Sequence, residues 1–117
     1  MSVRDEVVNI IGAGLAGALL AVLLARQGRR VRVYERRADP RRAAAERGRS
    51  INLVLAARGL RPLAAAGLLP RIEPLLVEVR GRAVHDGGGA PTLLPYGQQG
   101  EVIHSVSRAA LNAALID

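Results

Sequence analysis

At 117 residues the chain has room for one domain, and with Tyr34 and Tyr96 as its only aromatic residues the core must be aliphatic. The absence of cysteine excludes disulfide stapling, thiolate metal sites and cysteine nucleophiles, and fits a reducing cytoplasm. The net charge of +7 comes entirely from arginine, scattered apart from short doublets and lacking aromatic stacking platforms, which predicts solvated faces and no nucleic-acid partner.

In chain order, Val7 to Ile11 is a short apolar run closed by glycine, the pattern of a parallel strand buried on both faces. Leu15 to Gln27 is rich in Ala and Leu and predicts a helix, with Gly28 placed for a left-handed C-terminal residue. The uncharged stretch 10–25 is too short and too glycine-rich for a spanning helix of ~20 apolar residues, and Asp5-Glu6 ahead of it contradicts a basic signal region. No membrane segment is therefore expected.

Val31 to Tyr34 predicts a second strand, parallel to the first, with Glu35 at its end. The region 38–49 reads as an arginine- and alanine-rich connection with a possible helical turn over 42–47. Ser50 to Leu55 predicts a short strand and Ala57 to Ala66 a helix stopped at Gly67, with Pro62 discordant in its interior. Val77 to His85 alternates as one half-exposed strand, putting Val77, Val79, Ala83 and His85 on one face. Asp86-Gly87-Gly88-Gly89 is turn chemistry, and Thr92 to Pro95 is the returning strand of a hairpin. Ser107 is placed to cap a last helix, Arg108 to Ile116, with Leu111 and Leu115 on one face.

The informative motif is Gly12-Ala13-Gly14-Leu15-Ala16-Gly17, a G-x-G-x-x-G string that follows a predicted strand and opens a predicted helix. In that setting the first glycine allows the tight turn, the second lets backbone approach a pyrophosphate, and the third packs helix against strand. The helix start then offers free N–H groups and partial positive charge to phosphates. Glu35, eighteen residues after Gly17, is positioned to accept the hydroxyls of an adenine ribose. These features predict an α/β chain built on a Rossmann-like βαβ unit with a small additional β-hairpin. They leave FAD and NAD open, since both carry ADP. His85 and His104 have no carboxylate or cysteine at triad or metal spacing, so no catalytic residue and no metal ligand is assigned.

The segments after the βαβ unit narrow the choice. Arg47-Gly48-Arg49-Ser50-Ile51-Asn52-Leu53, Arg58-Gly59, Gly67-Leu68, the stretch 80–85, Pro95-Tyr96-Gly97, and Ser105-Val106-Ser107-Arg108 with Leu111-Asn112 resemble kynurenine 3-monooxygenase, in that family's order and near its spacing. The similarity covers nearly the whole chain and only the N-terminal part of the family's longer proteins.

The resemblance implies that residues 1–117 form the N-terminal part of an FAD-binding monooxygenase domain of the p-hydroxybenzoate hydroxylase type, with NADPH as reductant and an aromatic, kynurenine-like amino acid as substrate. It implies FAD contacts from Gly12, Gly14, Ala16, Gly17, Tyr34, Glu35, Arg36, Arg37, Val54 and Arg108. For the substrate carboxylate it implies Arg82 and Tyr96, although Arg80 is an equally suitable guanidinium on residue type alone. The family's second flavin motif, with its Gly-Asp pair, has no counterpart in these residues, so an incomplete catalyst is expected, needing a further C-terminal portion or a companion chain. Two other readings stand beside this one: a non-catalytic dinucleotide module acting with a partner chain, and a fragment of an NAD-dependent dehydrogenase. The latter is disfavoured because no acid, base or hydride-transfer constellation follows the motif.

Overall fold

The computed structural model describes residues 5–42, 52–97 and 102–117. The turn expected over 42–47, apart from Arg42, and the motif residues 47–51 lie outside the described residues.

Strand β1 (Val7–Ile11), helix α1 (Leu15–Arg26) and strand β2 (Arg30–Tyr34) form the expected βαβ unit, with β1 and β2 parallel and Ile11 opposite Tyr34. The helix ends as its sequence dictates. Gly28 adopts φ +77°, its N–H bonds the Ala25 carbonyl, and the Arg29 N–H reaches back to Leu24, closing the last turn. One expectation fails here: β1 is not buried on both faces. Ile10 is buried while Ile11 is 84% exposed, because successive side chains point to opposite faces and α1 lies against the face of Ile10.

A second sheet follows with strand order β3-β7-β4, all antiparallel: β3 (Asn52–Leu55), β4 (Val77–Val79) and β7 (Ile103–Ser107). Between β3 and β4 run α2 (Ala57–Ala65), α3 (Leu69–Ile72) and a 3-10 turn at Glu73–Leu75. Helix α2 continues through Pro62 and stops at Gly67, whose φ of +71° admits the Leu68 N–H to Leu63 carbonyl bond.

The single strand expected over Val77 to His85 is in fact two strands in different sheets. β4 pairs with β7, whereas β5 (Gly81–Val84) pairs with β6 (Thr92–Pro95) as a separate hairpin. The switch falls at Arg80-Gly81. A side chain at position 81 would collide with the Leu94 carbonyl, so only glycine lets the two hairpin strands close there. Every residue from Arg82 to Pro95 is exposed, so the hairpin contributes nothing to the core.

Helix α4 (Arg108–Ile116) begins as expected, with the Ser107 hydroxyl accepting from the Ala110 N–H at 3.3 Å. Its buried face, Leu111 and Leu115, joins Ala18 of α1, Leu63 of α2, Ile72 of α3 and Val106 of β7 in one aliphatic core. α4 thus packs directly on α1. A second tie lies at the surface, where Arg41 bridges Asp39 at 2.7 Å and Asp117 at 3.1 Å. Arg41 holds the Asp39 carboxyl down to about 2, but an exposed pair of this kind adds little stability. Among the described residues, no helix is long and apolar enough to cross a membrane.

Candidate functional site

The turn between β1 and α1 gives each motif glycine a different task. Gly12 has φ +103°, a backbone state that disfavours any side chain, and donates its N–H to the Tyr34 carbonyl at 2.7 Å. Gly14 has an ordinary φ of −70°, and a methyl group there would meet nothing within 4 Å. Its value is the open space over it. Gly17 is the opposite case, since a methyl group there would collide with the Gly12 carbonyl oxygen and lie 3.0 Å from its carbon. The third glycine therefore sets how closely α1 approaches the loop.

Helix α1 has no side-chain cap and no acidic residue in its first turn, and its first internal bond runs from the Ala18 N–H to Gly14. The amides of residues 15–17 thus have no partner within the helix, and the dipole favours an anion in front of them. A diphosphate fits this cradle: open ground at Gly14, forward-facing amides, and nothing acidic in the turn to repel it.

Glu35 lies beside the same loop. Its Oε2 accepts the Ala13 N–H at 2.8 Å and its Oε1 the Arg37 N–H at 3.0 Å. A carboxylate has about four acceptor positions, and these amides leave acceptor capacity for a ribose hydroxyl. The Arg37 and Ala13 amides, in that order, hold the Glu35 carboxyl below its ordinary value of 4.5. Because the folded-state value is depressed, the contribution of Glu35 to the loop is complete above 4.5 and is lost as pH falls through the lower folded value. The Ala13 amide proton shift, followed by NMR, should titrate with a midpoint below 4.5. A midpoint at or above that value would mean that the carboxylate is not held by these amides.

The other expected cofactor residues occupy four places. Ala16 is exposed in the first turn of α1, and Tyr34, Arg36 and Arg37 are exposed around the end of β2. Val54 sits on β3 and is 61% exposed. Arg108 opens α4, one turn ahead of Asn112, whose side-chain amide donates to the Ala13 carbonyl at 3.3 Å. Residues four apart share a helix face, so Arg108 lies on the face of α4 that meets the glycine loop. Asn112 enters the sequence reading only as part of a motif. Its contact joins positions 99 apart, a separation that no local pattern encodes.

Arg82 and Tyr96 belong to a different sheet from the glycine loop's strands, on the β5–β6 hairpin. Arg82 pairs with Leu94, and the Tyr96 N–H bonds the Arg80 carbonyl at 2.9 Å. By strand alternation Arg80, Arg82, Leu94 and Tyr96 share one face, with Arg82 and Tyr96 diagonal neighbours within reach of long side chains. Arg82 is exposed and Tyr96 half-buried.

The pattern of the NAD(P)-binding Rossmann-like domain matches residues 10–79, from the end of β1 through β4. The chain belongs to that family. The Rossmann-like chain is also similar to kynurenine 3-monooxygenase of Xanthomonas axonopodis pv. citri (strain 306), 53% identical over 116 residues, covering 98% of this chain and 26% of the relative. It is 53% identical over 110 residues to kynurenine 3-monooxygenase of Stenotrophomonas maltophilia (strain K279a), covering 93% of this chain and 24% of the relative. The resemblance seen in its motifs thus extends along almost the entire sequence, while the chain spans about a quarter of these relatives' length. In fold it is similar to the tetrameric form of 2-methyl-3-hydroxypyridine-5-carboxylic acid oxygenase, with TM-score 0.75 at 21% identity, covering 95% of this chain and 28% of that one. The α/β architecture read from the sequence is therefore the observed one.

Proposed function

We propose that residues 1–117 are the N-terminal, FAD-binding part of an NADPH-dependent flavoprotein monooxygenase that hydroxylates an aromatic amino acid resembling kynurenine. The observation that carries this reading is the pairing of an open, uncapped glycine loop with Glu35, whose carboxylate is already seated against it. The 53% identity to kynurenine 3-monooxygenases supports FAD over NAD as the dinucleotide, although the matching domain family is described as NAD(P)-binding.

In this reading Gly12, Gly14, Ala16 and Gly17 take the diphosphate, Glu35 the adenine ribose, and Tyr34, Arg36 and Arg37 the adenosine surroundings. Val54 and Arg108 face the rest of the flavin. Arg82 and Tyr96 offer a guanidinium fork and a phenol hydroxyl to a substrate carboxylate from one hairpin face. FAD, when bound, supplies the redox chemistry; the chain supplies binding and orientation. The remaining three-quarters of such an enzyme, on the same chain or a companion one, would complete the pocket.

Glu35→Ala should weaken FAD binding roughly tenfold to hundredfold, the range expected for charge-assisted hydrogen bonds. Glu35→Gln, which keeps the shape and loses the charge, should fall between it and the parent. Isothermal titration with FAD and, separately, NAD checks both points. Tighter retention of NAD than FAD by the parent chain would replace the monooxygenase reading with a dehydrogenase one.

A further inference from the structure

The Ala13 residue is gripped from two sides. Its N–H is held by Glu35, and its carbonyl oxygen by the side-chain amide of Asn112, which sits on α4 between the buried Leu111 and Leu115. We infer that Asn112 is a positioning residue for the dinucleotide loop, fixing the 13–14 peptide so that the Gly14 N–H faces the diphosphate.

The reasoning is geometric. In a trans peptide the carbonyl of residue 13 and the N–H of residue 14 point in opposite directions, and none of the described peptide bonds is cis. Drawing the Ala13 oxygen toward α4 therefore turns the Gly14 N–H away from α4, toward the open ground over Gly14. Without that anchor the 13–14 peptide is the soft point of the loop. Gly14 has no side chain to resist a flip, and nothing stands within 4 Å of where a Cβ would be. A flipped peptide would present a carbonyl oxygen to an anion, where the site needs a donor. Asn112 supplies the donor that selects one orientation, and the core beneath α4 keeps that donor in place.

The purpose of the anchor rests on the proposed dinucleotide function; the anchor itself does not. Asn112→Leu is close in size and cannot donate, and Asn112→Ser is neutral, smaller and too short to span the gap. In both variants of the full chain, ADP binding should weaken roughly tenfold while adenosine, which lacks phosphates, binds within about twofold of the parent. In ligand-free protein the Gly14 amide should shift in its NMR resonance, with the circular dichroism of the helices unchanged. Equal losses for ADP and adenosine would mean general destabilisation and overturn the inference, as would unchanged ADP binding. If the parent binds neither ligand, the dinucleotide reading falls by itself. The Gly14 amide then still decides the anchor: a shift confined to residues 12–15 supports it and an unchanged loop overturns it.

Discussion

Gly17→Ala is expected to cost the chain both stability and dinucleotide binding, and to do so despite placing a better helix former in the first turn of α1. The added methyl group would run into the Gly12 carbonyl and come within 3.4 Å of the Ile10 side chain. The opposing atoms are mostly backbone, so no side-chain rotation relieves the clash. Either α1 lifts from β1 or the 12–13 peptide turns, and the second route breaks the 2.8 Å bond from the Ala13 N–H to Glu35. Overpacking of this kind costs about 1–3 kcal/mol or more, against about 1 kcal/mol gained in helix propensity. The clash wins. Gly14→Ala separates the two effects: its backbone is ordinary and its surroundings open, so the protein should stay as stable as the parent while the methyl group fills the space proposed for the diphosphate. Urea unfolding with and without FAD distinguishes the variants. A Gly17→Ala protein that unfolds at the parent's midpoint and binds FAD normally would remove the close-packing role.

How much of this was legible in the sequence follows from the range of each signal. The βαβ unit could be read almost residue by residue, because the glycine spacing, the aliphatic helix and the Gly28 exit act within a few positions of themselves. β1 coincides with its expected bounds and α4 begins at the residue after its expected cap. Helix α3 and the 3-10 turn escaped notice because they are short and punctuated by Pro70 and Pro74, which are tolerated at the first positions of a helical turn. Strand β7 also went unread. Its Ile-His-Ser-Val-Ser pattern is only weakly apolar, and its partners lie some 25 to 50 residues back in the chain, β4 near the closer end and β3 near the farther. The break at Arg80 was invisible for a related reason: alternation is the same on either side, and only the choice of partner changes. For the site, residues on the local motif could be named, whereas Asn112 needed the tertiary contact.

Ile72→Ala should produce the largest stability loss among single truncations in the core, about 2–5 kcal/mol. Ile72 is completely buried at the end of a four-residue helix, at the centre of the shared aliphatic core. A small domain has a total stability of about 5–15 kcal/mol, so the variant gives up a sizeable fraction of it. The consequence for function runs through α4. Leu111 and Leu115 share the core with Ile72, and the helix they anchor carries Asn112 to the glycine loop. If FAD binds the folded chain and not the unfolded one, as proposed, a hundredfold excess over its dissociation constant should restore about 2.7 kcal/mol. Intrinsic affinity should fall as well, since a loosened α4 holds the loop less firmly. Chemical unfolding at two FAD concentrations separates the terms. A variant that loses stability while binding FAD with unaltered affinity would show that the loop keeps its shape without help from the core beneath α4.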